Sequence, residues 1–348
     1  MPFTAQELAN IANAAIDFHM HGKAFDQAIQ EKPLLKLLKA NQETFPGGKG
    51  YITWPVKGVH TSAIQGYTHD DTVSYANPAN IKRAQASWYE IHEGISFTGT
   101  ELKHDGISVV DSEDGKETTE HTDRELTALT NILEDKLDDM TQGWAETFNL
   151  MLWKDGTQDA KQVPGIQSFI RNAPTTGTLF GIDTAANAWF RNRYDLAVAS
   201  NSGTWANQPL VRELQKEFRQ LRRYQGMKPT NLLAGSDFLD ALEMELRAKG
   251  NYTLEGWAKT GTIDASVADV SFKGLKFEYD PTLDDLSKSK YCYALDMKNI
   301  KLKVMDGEDM KQHSPARPED KYVYYRAITW TGGLIAKGLR GCEVFSIA

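Results

Sequence analysis

His19-Met20-His21 sets two imidazoles at i and i+2. That spacing splits them across a helix, and only a strand would bring them together as a metal pair. Surface or packing histidines explain it better. His69-Asp70-Asp71 offers three consecutive ligand-type side chains without the alternating pattern that wraps a cation, and reads as a solvated loop. The run Phe45-Pro46-Gly47-Gly48-Lys49-Gly50 lacks the G-x-x-x-x-G-K-[ST] spacing that cradles phosphate, so a flexible joint is expected. Cys292 and Cys342 have neither metal-ligand nor redox-motif spacing and fit reduced thiols. The chain has no G-x-S-x-G elbow and no H-E-x-x-H. The sequence therefore assigns no catalytic residue, no cofactor site and no metal site.

With 348 residues, 41% hydrophobic and 25% charged, the chain has the balance of an ordinary folded protein. Its length favours more than one lobe, because single cores stop growing at about 250 to 300 residues. Thirty-nine Lys and Arg against 47 Asp and Glu leave a net charge of -8, which opposes a role in gripping phosphate backbones. The first ten residues lack the basic and apolar regions of a secretory signal, and no stretch approaches the ~20 apolar residues of a membrane helix. Cytoplasmic synthesis is the expectation.

Two patterns organise the chain. Near the start, Leu8, Ile11, Ala15 and Phe18 recur at helical spacing, and the cluster Leu34, Leu35, Leu37 and Leu38 precedes the breaker run at Pro46. This reads as an arm whose apolar residues must be covered from outside it. From Tyr51 the period becomes two. Tyr51 to Val56 is one expected strand, and Ala86 to Thr98, with Trp88, Tyr89, Ile91, Ile95 and Phe97, is expected as its return. The long polar connection between them predicts a projecting hairpin with its tip between Lys57 and Asn77, which as a lone ribbon would be marginal in water.

A long helix follows. Thr122-Asp123-Arg124-Glu125 fits a capping box, and Leu126, Leu129, Leu133, Leu137, Met140, Trp144, Phe148 and Met151 form one apolar stripe. The acidic run Glu134-Asp135-Lys136-Leu137-Asp138-Asp139 is its polar face. With a stop at Gly156, the helix would span roughly 30 residues, about 45 Å. Gly143 inside it points to a close approach or bend. Further on, Leu210 to Leu221, Asn231 to Ala234 and a helix capped by Ser236 make a helix, strand, helix unit. Strands are expected at Val270 to Tyr279, Lys290 to Met297, Ile300 to Met305, Tyr322 to Thr331 and Leu334 to Ile347.

This order of parts resembles the major capsid proteins of tailed bacteriophages, an α+β, Hong Kong 97-type fold. Local stretches are also similar: Gln65-Gly66-Tyr67, Trp88-Tyr89-Glu90-Ile91, Asn231-Leu232-Leu233-Ala234-Gly235-Ser236-Asp237, and Tyr324-Tyr325-Arg326-Ala327-Ile328-Thr329-Trp330-Thr331-Gly332. The resemblance implies an N-arm over 1–48, an E-loop over 49–102, a peripheral domain over 103–160 with the spine helix, an axial domain over 161–292, and closing peripheral strands over 293–348. It implies that Lys57, Gly66, Tyr67 and Tyr75 meet a neighbouring subunit, and that Leu126 to Phe148 form the core face of the spine helix.

It further implies self-assembly through pentamers and hexamers into an icosahedral shell around double-stranded DNA, held without sequence-specific binding. The implied place is the virion capsid, assembled in the host cytoplasm, with no membrane. The implied partners are a separate scaffolding protein, a portal and a decoration protein. The hairpin starting near Tyr51 leaves no room for the long scaffolding segment of some relatives, so either a separate scaffold or a chain already processed is expected, and Met1 favours the separate scaffold. Covalent locking, which in some relatives joins a lysine to an asparagine, has Lys57 and Asn299 as candidates, and non-covalent closure is the expectation. The alternatives are an encapsulin-like nanocompartment shell and a soluble hydrolase near His19, His21 or His69.

Overall fold

The computed structural model of the chain describes residues 3–4, 32–58, 64–75, 81–98, 100, 109–110, 136, 140–200, 209–223, 227–248, 271–313 and 323–348. A six-stranded sheet runs in the order β11 (Ser271–Phe272), β12 (Leu275–Tyr279), β10 (Asn231–Ala234), β13 (Tyr291–Leu295), β17 (Glu343–Ile347), β9 (Arg193–Val198). Its middle strands are nearly continuous apolar runs, as expected where both faces are covered. Leu233, Tyr293, Leu295 and Val344 belong to one hydrophobic core. Leu232, Ala234, Cys292, Ala294, Phe345 and Ile347 belong to the other. The second core is closed by helices α4 (Pro209–Leu221) and α5 (Ser236–Ala248), which contribute Leu210, Leu214, Phe218, Leu221, Phe238 and Leu242 at helical spacing.

The larger core lies against the other main sheet, in the order β15 (Lys311–His313), β16 (Val323–Ala336), β14 (Ile300–Met305), β2 (Glu43–Phe45), with β5 (Tyr89–Thr98) also paired to β16. Helix α1 (Pro33–Ala40) and the helical residues 140–153, α2, bury their apolar faces in this core. Phe148 of α2 meets Trp330 of β16 edge-on, with ring centroids 5.0 Å apart. Asn149, fully buried, accepts the Leu35 N–H at 3.2 Å and donates to Thr282 Oγ1 at 2.7 Å. One amide thus ties α1 and α2 to the short helix α6 (Pro281–Asp285). Trp153 Nε1 donates to Asp280, the residue that caps α6.

Shorter pieces complete the fold. These are the parallel pair β1 (Phe3–Thr4) and β6 (Val109–Val110), the ribbon β3 (Ile52–Lys57) with β4 (Ile81–Ala86), the hairpin β7 (Thr178–Leu179) with β8 (Ile182–Asp183), and helix α3 (Ile166–Phe169).

Several expectations meet the structure directly. Leu34, Leu35 and Leu38 are fully buried, and the chain's own larger core covers them. The return strand of the ribbon is β4, not the aromatic run Ala86 to Thr98, which pairs with β16 from Val323↔Thr98 to Gly332↔Tyr89. The reason is chemical. Ile81-Lys82-Arg83-Ala84-Gln85-Ala86 buries only Ala84 fully and carries almost no apolar alternation, whereas the alternation of the richer run suits the half-buried place it takes along the ten-residue ladder with β16. Ser236 is the first residue of α5 rather than a cap, and its N–H donates to the Asp284 carboxylate. Gly235 before it approaches the Ser289 carbonyl too closely for any side chain. At Gly143 the close approach is to the Glu93 carboxylate, 3.3 Å from where a Cβ would stand. The N-terminal helical pattern, the capping box and residues Leu126, Leu129, Leu133 and Leu137 lie outside the described residues.

Candidate assembly surface

The ribbon is anchored at its base. Ile52, Trp54 and Val56 alternate inward along β3, and Trp54 packs edge-on against Phe180 at 5.2 Å. The Gln85 N–H donates to the Phe180 carbonyl at 3.0 Å, which fixes β4 to the body as well. Lys57 ends β3 paired with Ile81 and is exposed.

Beyond the ladder, every residue of 64–75 is exposed. Tyr67 and Tyr75 are 68% and 93% exposed, and Ile64 is fully so. Nothing lies within 4 Å of a Cβ placed on Gly66. The segment is nevertheless ordered by its own polar groups. Thr68 donates from both N–H and Oγ1 to Asp71 Oδ2 at 2.8 Å, and Gln65 and Ser74 bridge across at 2.6 and 3.2 Å. The Thr68 bonds hold the Asp71 carboxyl below its ordinary pKa. His69 and Asp70 sit in this turn, exposed.

Among the candidates for the core face of the long helix, Met140, Trp144 and Phe148 are 3%, 4% and 2% exposed. The Trp144 and Phe148 rings meet at a tilt with centroids 5.8 Å apart.

Sequence reading missed a buried polar cluster between β9, β17 and α4. Glu343 is completely buried and faces Glu217, Arg193 and Asp195. Arg193 Nε donates to Glu217 Oε2 at 2.6 Å. Burial first, and the Glu217 carboxylate second, push Glu343 up to about 10, which favours the protonated carboxyl at neutral pH. Burial, then Glu213 and Glu217, raise Asp195. No motif marks these residues, because they converge from three elements far apart in sequence. Burial also raises both thiols, Cys342 to about 12 and Cys292 well above its ordinary value, which makes them poor nucleophiles. Among the described residues no group of three or more His, Cys, Asp or Glu is placed to hold a metal ion. None of their helices is long and apolar enough to cross a membrane.

No protein-family model matches this sequence, and no curated protein does. Solved structures match over nearly the whole chain. One is the capsid asymmetric unit of cyanophage A-1(L), with a TM-score of 0.61 and 16% identity over 90% of this chain and 92% of that one. Others are from Gordonia phage Cozz, with a TM-score of 0.54 and 10% identity over 90% and 86%, and Mycobacterium phage Bobi, with 0.54 and 11% over 90% of each chain. At these identities the likeness is one of fold. The chain has the mixed α+β architecture of tailed-phage capsid shells, and within that class it is the Hong Kong 97-type capsid fold.

Proposed function

We propose that this chain is a major capsid protein, a structural subunit rather than an enzyme, which self-assembles through pentamers and hexamers into the icosahedral head shell around phage double-stranded DNA. The observation that carries this reading is the fold match to a phage capsid subunit over nine-tenths of both chains. The exposed ribbon tip supports it, because a monomer has no use for aromatic side chains held in water on an anchored stalk.

In this reading residues 1–48 are the N-arm, 49–102 the E-loop, 103–160 with 293–348 the peripheral domain and 161–292 the axial domain. The six-stranded sheet joins the last two, since β13 straddles their boundary. Lys57, Gly66, Tyr67 and Tyr75 meet a neighbouring subunit, and Leu126 to Phe148 line the spine helix. A separate scaffolding protein, a portal and a decoration protein are the partners, and assembly takes place in the host cytoplasm. The negative net charge suits a wall along which packaged DNA must slide. An encapsulin-like compartment would share the fold, and no observation favours it.

Negative-stain microscopy of the expressed full chain tests the proposal. Closed shells, or rings of five and six, are expected. A monodisperse monomer at all concentrations, with or without the phage's other head proteins, would overturn it.

A further inference from the structure

The ribbon tip holds carboxylates and aromatic rings in the open, and a groove at the ribbon's base holds the opposite charge. This groove, about 590 Å³, lies between the Pro46–Gly47 turn, β3 and the adjoining faces of β14 and β16. Phe45, Tyr51, Trp54 and Ile335 make it apolar, and Lys49, Lys303 and Lys337 line it. Lys301, Lys303 and Lys337 converge on a single carboxylate, Glu43, at 3.6, 2.7 and 3.5 Å. Among the described residues no carboxylate pairs with the Lys49 amine, while its carbonyl accepts the Trp88 indole N–H at 3.0 Å. The groove therefore carries surplus positive charge. It also borders β2, an edge strand of its sheet.

We propose that the ribbon tip of one copy, residues 64–75, docks in the lysine-lined groove of a second copy, with Asp70 and Asp71 toward Lys49 and Lys337 and tyrosine rings over the apolar floor. The inference rests on the self-assembly reading and names its receiving surface. Charge decides between the available hollows. Residues 64–75 contain two aspartates and neither lysine nor arginine. A second cavity, about 370 Å³, is lined by Trp144 and Phe148 with Glu90, Glu93 and Asp159 against Lys161, and would repel the tip. Ile52, Thr53, Trp54 and Pro55 at the root of the ribbon form one wall of the groove, and β3 runs on past them to Lys57 on the way to the tip. Asp71 keeps the turn in shape through Thr68, and Asp70 beside it is exposed.

Charge exchange tests this in the full chain. Lys49→Glu with Lys337→Glu, and separately Asp70→Lys, should each lower the fraction of protein recovered in particles at least tenfold, with thermal unfolding unchanged. Combining Asp70→Lys with Lys49→Glu should restore a substantial part of it. Mixed single-cysteine chains, Asp70→Cys with Lys49→Cys, should form a disulfide dimer under mild oxidant, which neither variant forms alone. Particles without rescue and without crosslink would overturn the contact while leaving the shell reading intact. A crosslink without particles would support the contact and overturn the shell. Neither particles nor crosslink would overturn both.

Discussion

Glu343 shows how much a buried group can do without being a site. It is closed off between β17 and α4, beside Glu217, Arg193 and Asp195, and its carboxyl keeps a proton that the unfolded chain releases near the ordinary value of 4.5. Its folded value is raised, so its contribution to stability is complete below about 4.5 and is lost as pH climbs toward about 10. We expect the unfolding temperature to fall between pH 5 and 9, and Glu343→Gln to flatten that slope by up to about 1.4 kcal/mol per pH unit. Calorimetry across the range checks it, and parallel slopes in the two proteins would count against a proton held by Glu343. Nothing in the sequence announced this cluster. Charge next to a strand end is ordinary on paper, and only the approach of β9, β17 and α4 makes it buried. Trp144 and Phe148 were legible, because a stripe at threes and fours must face a core whatever the fold.

Elements divide along the same line. The ribbon's existence could be read from the long polar connection after Lys57, yet its returning strand could not. β4 is held by backbone bonds and one buried alanine, so it lacks the signal that makes a strand visible. The aromatic run beyond it carried a strong signal and belonged to β5. Tip and base should respond differently to mutation. Trp144→Ala removes a buried ring packed against Phe148 and should cost about 3 to 5 kcal/mol, enough to deplete the folded subunit. Tyr67→Ala removes an exposed ring and should leave thermal unfolding within about 0.5 kcal/mol of the parent while lowering particle yield. Paired measurements of unfolding and particle count distinguish the two. An equal loss of stability in both would place the tip in the subunit's own core.

At the scale of the molecule, the two cores are not two independent bodies. They share the six-stranded sheet, with Tyr293 and Leu295 serving one and Cys292 and Ala294 the other along a single strand. Length alone predicted more than one lobe, but not that a common wall would divide them. Closure between subunits should be non-covalent. Asn299, the asparagine considered for a lysine crosslink, donates its side-chain N–H to Asp296 Oδ2 at 2.6 Å, and its backbone carbonyl accepts the Lys337 backbone N–H at 2.8 Å. Particles boiled in denaturant should therefore run as monomers on a gel, and a ladder of covalent oligomers would contradict this.

The ribbon is a beam clamped at one end. Trp54 and Gln85 fix its root to the body, while among the described residues the hydrogen bonds of the tip run within the tip itself. A beam built this way bends before its clamp yields. If its tip is seated in a neighbour, a change in the angle between two subunits is taken up as flexure of two thin strands rather than by reshaping either core. One sequence could then tile a surface whose curvature is not everywhere the same, with the tolerance for misfit concentrated in the part of the chain that has the least to lose by deforming.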